Sequence, residues 1–248
     1  MVLKGKVAII TGSGAGIGVE TAIKLAAEGV RVCCNSVSNS AAKVADKIRA
    51  QGGEAIFVQA DVSLPQDAQR LVAETVKNFG SIDILINNAG IVIPGTVENT
   101  TLDDWEKTFA VNIRSIFLVS QAALPHLKKT KGTIVNTSSV AALKGLKDRF
   151  AYSASKGAVS AASRAMATDL LKDGIRVNAV CPGTTYTPSL EERFSKFADY
   201  EKAKADFIAR QPMGRLGEAG EIADAIIYLV KATFCTGIDL SPDGGMTM

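Results

Sequence analysis

Histidine and tryptophan each occur once in this chain of 248 residues, and cysteine four times. With His126 as the sole imidazole, a Ser-His-Asp nucleophilic centre has no second histidine to draw on. His126 itself follows Pro125 beside a lysine group and reads as a structural residue at a helix end. Cys33, Cys34, Cys181 and Cys235 show no C-x-x-C spacing, so no metal site is expected and the thiols read as buried groups in a reducing compartment. No apolar run approaches the roughly 18 residues that span a bilayer, and Met1 to Lys6 offers no hydrophobic stretch ahead of the first strand; a cytoplasmic protein without a membrane partner is expected. The formal charge of +3 is spread along the chain. Its one dense basic group, Lys128, Lys129 and Lys131, reads as a solvated helix end and not as a nucleic-acid site.

Apolar residues make up 47% and charged residues 21%, the balance of an ordinary globular protein, which excludes a disordered or fibrous class. Neither a Pro/Ser-rich linker nor a repeat interrupts the chain, so one domain over 1–248 is expected. Short β-branched runs alternate with longer amphipathic stretches. The runs predict strands over Val7–Thr11, Val30–Asn35, Ala55–Ala60, Ile82–Asn87, Gly132–Ser138, Ile175–Cys181 and Ile238–Ser241. Helices are predicted over Gly16–Glu28, Ser40–Gln51, Pro65–Asn78, Leu102–Leu127, Ala151–Lys172 and Glu218–Lys231. Several strands are apolar throughout, as in a parallel sheet covered on both faces. The expected fold is therefore α/β, a Rossmann-type doubly wound parallel sheet with its ligand crevice beyond the carboxyl ends of the strands. Gly12, Asn88, Ser139 and Pro182 each directly follow a predicted strand.

Thr11-Gly12-Ser13-Gly14-Ala15-Gly16-Ile17-Gly18 joins the first strand to the first helix. Glycine permits the tight turn and a close approach of backbone to a pyrophosphate, and the following helix N-terminus favours the negative charge. On these residues the sequence resembles the short-chain dehydrogenase/reductase family, whose cofactor loop reads T-G-x-x-x-G-x-G. Further matches follow in the family's order over essentially the whole chain: Asp61-Val62, Asn87-Asn88-Ala89-Gly90, Asn112, Ser139, Tyr152-Ser153-Ala154-Ser155-Lys156 and Pro182-Gly183.

The resemblance implies an NAD or NADP cofactor held by Gly12, Ser13, Gly16, Ile17 and Gly18. Asp61 and Val62 would flank the adenine, and Asn88, Ala89 and Gly90 would lie along the cofactor. Pro182, Gly183, Thr185 and Thr187 would lie near the nicotinamide, with Thr185 replacing the aliphatic residue common after Pro-Gly. Asn35 and Ser36 stand where NAD-preferring members carry an acid on the ribose 2′-hydroxyl. Ala15 and Val37 stand where phosphate-binding Arg or Lys often occurs. The missing acid favours NADP.

Oxidising a secondary alcohol requires a group that takes the hydroxyl proton, and a free phenol with pKa near ~10 is a poor base at neutral pH. Lys156, four residues after Tyr152, shares its helix face and can place an ammonium near the phenol to favour the phenolate. Ser139 can hydrogen-bond the same substrate oxygen. Asn112 resembles the family residue that links the lysine to solvent through water.

Arg149, Arg193 and Arg210 suit a carboxylate, which a guanidinium holds in two-pronged fashion. The stretch around them resembles the cytosolic type 2 3-hydroxybutyrate dehydrogenase branch of the family, and also dehydrogenases of 2-keto-3-deoxy sugar acids. In the hydroxybutyrate branch, residues matching these arginines bind the substrate carboxylate, and a segment of about 184–215 covers the substrate. Two alternatives stand beside a small hydroxy or keto acid. One is a reductase of 3-oxoacyl thioesters or a broad carbonyl reductase, with Lys128, Lys129 and Lys131 meeting an acidic carrier. The other is a nucleotide-binding protein without turnover. The helix after Tyr152 carries Ala158, Ala161, Ala162 and Ala165, and the corresponding helix of the family packs on its symmetry mate. A homotetramer is expected.

Overall fold

The computed structural model describes residues 2–248. Its core is a seven-stranded sheet built from β1 (Val7–Ile10), β2 (Arg31–Ser36), β3 (Ala55–Gln59), β4 (Ile84–Asn87), β5 (Thr133–Thr137), β6 (Arg176–Val180) and β9 (Asp239–Leu240). Their order is β3-β2-β1-β4-β5-β6-β9, and every neighbouring pair is parallel. The chain winds outward from β1 to β3 and then returns to β4 on the other side of β1. This reversal opens a crevice between the carboxyl ends of β1 and β4.

Side-chain alternation divides the sheet into two cores. Ala8 and Ile10 of β1, Cys34 of β2 and Ile86 of β4 face one layer. That layer contains α1 (Gly16–Ala27), α2 (Ser40–Ala50) and α9 (Ala219–Lys231). Ile9, Cys33 and Leu85 face the other, with α3 (Pro65–Phe79), α5 (Ser115–Thr130) and α6 (Phe150–Leu170). Both faces are covered, which is why β1 is apolar at every position and its neighbours carry apolar runs. Adjacent Cys33 and Cys34 thus point to opposite cores, and burial pushes their thiols up to about 12 and about 11 respectively. They are inert as nucleophiles at neutral pH.

The helix expected over Leu102–Leu127 is interrupted. It divides into α4 (Leu102–Phe109), a π-helical turn at Ala110–Arg114, and α5. The turn has a tertiary cause. Asn112, wholly buried, accepts the N–H of Ile91 at 2.8 Å, donates to the carbonyl of Ile91 at 3.0 Å and donates to Ser155 Oγ at 3.0 Å. Such wide turns recur at functional sites.

The stretch after β6 also holds structure beyond the sequence reading. A two-residue pair joins β7 (Thr185–Tyr186) to β8 (Gly217–Glu218), and between them lie α7 (Pro188–Phe194) and α8 (Tyr200–Ile208). Thr187 and Asp199 cap these helices by accepting the N–H groups of Leu190 and Lys202. Leu190, Phe194, Ala203 and Phe207 form a small core of their own, with Phe194 and Phe207 edge to face at 5.2 Å. Among the described residues no helix is long and apolar enough to cross a membrane. No group of three or more His, Cys, Asp or Glu side chains among them could hold a metal ion.

Candidate active site

A cleft of about 330 Å³ opens at the strand ends predicted by the topology. Gly12, Gly16 and Ile17 line one end of it, Asn88, Ala89 and Gly90 the middle, and Ser139, Tyr152 and Lys156 the floor. Pro182, Gly183, Thr185 and Thr187 lie opposite, beside Arg149, Arg193 and Arg210.

The glycine end is shaped by contact. A Cβ on Gly12 would meet Ala89 Cα at 2.8 Å, and one on Gly18 would collide with the Gly12 carbonyl oxygen. Asn88 fastens the same loop by donating from Nδ2 to the carbonyls of Thr11 and Gly12 at 3.1 and 3.2 Å. The first turn of α1 has no capping side chain and no acidic residue, so its N–H groups and positive dipole end remain open to the cleft. A pyrophosphate fits this donor set.

Other residues of the expected cofactor set support the loop from behind. Ser13 is wholly buried, its Oγ accepting the N–H of Asn35 at 2.9 Å. Asn35, also buried, donates to the carbonyls of Val58 and Ala60. Ser36 Oγ accepts the N–H of Ala41 at 3.1 Å and donates to the carbonyl of Ser38 at 2.6 Å. Asp61 follows β3 and accepts both the N–H and the hydroxyl of Ser63. Val62 is buried in the core beside it. These residues, Gly18 and Asn112 do not line the cleft.

At the floor, Tyr152 and Lys156 project from α6 one turn apart, and the Lys156 Nζ lies 5.8 Å from the Tyr152 ring centre. Lys156 is buried, donates to the Thr137 carbonyl at 2.7 Å, and is pushed down to about 8 by burial. Burial raises the Tyr152 phenol, while a hydrogen bond with Ser139 and the charges of Arg193 and Arg149 act to lower it. Ser139 is held in place because its Oγ accepts the N–H of Ala141 at 3.1 Å. Asn112 reaches this floor from behind, through Ser155, whose hydroxyl donates to the Tyr152 carbonyl at 2.7 Å. Sequence reasoning passed over Thr137. Its Oγ1 is buried without a hydrogen-bond partner, and the residue lines the cleft two positions before Ser139.

Arg149, Arg193 and Arg210 converge although they come from three separate segments. Burial is the largest influence on each and pushes each guanidinium down. The charge of Arg149 adds to this for both Arg193 and Arg210. Arg210 stacks on Phe207 at 3.7 Å from the ring centre. Among the described residues none of the three forms an ion pair with a carboxylate. Lys128, Lys129 and Lys131 instead lie just before the amino end of β5, at the opposite end of the strands from the cleft, with Lys128 paired to Asp173 at 2.9 Å.

A doubly wound sheet with an open helix N-terminus at its switch point, and a phenol and an ammonium beside it, defines a nucleotide-dependent oxidoreductase. Residues 12–247 match the family model described as enoyl-(acyl carrier protein) reductase. An oxidoreductase of Thermotoga maritima is 43% identical over 100% of this chain and 99% of its own. The 2-(S)-hydroxypropyl-CoM dehydrogenase 3 of Xanthobacter autotrophicus is 38% identical, covering 99% and 98%. The crystal structure of levodione reductase superposes with a TM-score of 0.94 at 32% identity, covering 98% of both chains. The chain belongs to the short-chain dehydrogenase/reductase family and is an alcohol dehydrogenase or ketoreductase of it, acting with NAD or NADP.

Proposed function

We propose that the protein interconverts a secondary alcohol and a ketone on a hydroxy or keto acid, with Tyr152 moving the hydroxyl proton. The observation that carries the acid assignment is the convergence of Arg149, Arg193 and Arg210, none of them ion-paired to a carboxylate among the described residues, on the cleft that holds Tyr152. Arg149 and Arg193 are half-buried and Arg210 is exposed; the three like charges repel one another, and an anion in the cleft relieves that cost.

The lining of the cleft supports these roles. Gly12, Gly16, Ile17 and the open turn of α1 would hold the pyrophosphate. Asn88, Ala89 and Gly90 would hold the middle of the nucleotide, and Pro182, Gly183, Thr185 and Thr187 its nicotinamide end. The bound dinucleotide supplies the two-electron hydride acceptor or donor. Ser139 donates to the substrate oxygen, Tyr152 takes or returns its proton, and Lys156 steadies the phenolate. Asn112 is a positioning residue, acting through Ser155 and Ile91.

NADP is the favoured cofactor. Ser36 ends β2 without an acid, and the exposed Ser38 and Ser40 beyond it offer hydroxyls, with no carboxylate to repel a 2′-phosphate. The segment 184–215, with α7 and α8, covers the substrate. A homotetramer fits α6, where Ala161 and Ala165 are exposed to solvent and so are not explained by packing within one subunit; light scattering tests it.

The acid reading is tested with Arg193→Ala. Its KM for 3-hydroxybutyrate should rise by the equivalent of ~2–5 kcal/mol, while an uncharged secondary alcohol loses little. Unchanged kinetics on the acid would remove the assignment.

A further inference from the structure

The arginines face two ways. Together with Phe207 they form the wall that the reactive cleft shares with a second cavity, of about 680 Å³, on its outer side. This outer space is about twice the inner one, and a four-carbon acid held at Tyr152 would leave it unused.

Its lining is built for a particular shape of ligand. Phe207 is buried and meets the exposed Phe197 edge to face at 6.4 Å, and Phe197 gives the outer cavity an aromatic surface suited to methylene groups. Beyond that surface the charge is positive: six basic residues line the cavity against three acidic ones. Part of this charge is already engaged: Asp148 acts on Arg149 and Arg210, and Asp206 on Arg210, without forming ion pairs. Lys196 pairs with Glu192 at 2.8 Å, and Asp199 is occupied as the cap of α8. Lys147, ahead of α6, and Lys202, on α8, form no ion pair with a carboxylate among the described residues. Two cavities that meet at this wall, the outer one lined by Phe197 and by cations without ion pairs, match a chain that ends in an anion.

We propose that the outer cavity is the far compartment of the substrate site, and that the substrate is an elongated hydroxy acid. In such a molecule several methylene groups separate the carbinol at Tyr152 from a terminal carboxylate, which lies beyond Phe207 between the arginine wall and Lys147 and Lys202. The inference rests on the hydroxy-acid reading above and narrows it. The redox step is unchanged, since only the span from carbinol to carboxylate differs.

The test is kcat/KM for 3-hydroxybutyrate, 5-hydroxyhexanoate and 7-hydroxyoctanoate, with 2-octanol as an uncharged chain of similar length. At least one longer acid should exceed 3-hydroxybutyrate by tenfold or more, with 2-octanol well below it. In a Lys147→Ala/Lys202→Ala variant the ratio of that acid to 3-hydroxybutyrate should fall at least fivefold. Both side chains are exposed, so the variant retains its fold. If 3-hydroxybutyrate is the best substrate, or the ratio does not move in the variant, the outer compartment is refuted while the acid reading stands. If 2-octanol equals the acids, the acid reading falls and this inference with it.

Discussion

Gly16 faces Thr187 so closely that a Cβ on the glycine would stand 2.9 Å from the threonine Cγ2. The cofactor loop and the segment that covers the substrate are therefore in mutual contact across the cleft. Gly16 also has φ of +55°, a region that side chains disfavour by ~1–2 kcal/mol. Gly16→Ala should weaken dinucleotide binding tenfold or more in a fluorescence titration. Adding Thr187→Ser removes the offending methyl and keeps the hydroxyl that caps α7. The double variant should regain part of the affinity. Equal affinities in the two variants would mean that backbone strain, and not the contact, sets the loss.

Tyr152→Phe removes the proton carrier and leaves the aromatic ring beside Lys156 in place. The expected loss in kcat is about 10²–10⁴-fold, with dinucleotide affinity within about threefold of wild type by the same titration. Ser139→Ala should cost kcat less, because the phenol keeps its proton role while the substrate oxygen loses one donor. A Tyr152→Phe enzyme of undiminished kcat would dissociate the fold from the chemistry assigned to it.

The layered sheet was legible because its signals are local. Apolar runs closed by Gly12, Asn88 and Pro182 mark strand ends, and β1 to β6 with α1, α2, α3, α6 and α9 fall within two residues or so of their predicted limits. The π-helical turn at Asn112 was not legible, since its cause is the pairing of one amide with Ile91 and Ser155, residues distant in sequence. The helices after Thr185 carried a readable start, Thr187-Pro188 with Glu191, but each is short and rests on an internal cluster that periodicity over a longer window dilutes. Ser13 and Asn35 show the limit of motif reading. Each matched a binding position, and each turns its side chain into the protein to hold the loop's own backbone.

Cofactor choice turns on Ser36. Its hydroxyl accepts the Ala41 N–H, a bond that a carboxylate can replace, while the donation to the carbonyl of the exposed Ser38 is lost to a loop that can turn that carbonyl to water. Ser36→Asp should therefore fold normally while placing a negative charge at the end of β2. The expected result is a rise of tenfold or more in KM for NADP and a fall or no change for NAD, measured side by side with one alcohol substrate. An unaltered preference would place the 2′ position elsewhere.

Lys156 carries a stability cost that depends on pH. Burial depresses it from 10.5 to about 8. In the unfolded chain the amine is protonated below 10.5, whereas in the folded enzyme it gives up its proton near 8. The unfolded state thus binds more protons between those values, and stability rises with pH across that window. Below about pH 8 both states are protonated and the penalty is constant, of order ~3 kcal/mol. Lys156→Met has no such group, but it leaves the Thr137 carbonyl without its donor, a loss of about 1–3 kcal/mol. The two effects nearly offset each other at pH 7, so the variant should be inactive and about as stable as wild type. Between pH 8 and 10.5 wild type should gain on the variant in urea unfolding, and below pH 7 the difference should be flat. A difference that is flat across the whole range would show that the amine titrates at its ordinary value and that the floor of the cleft is wet.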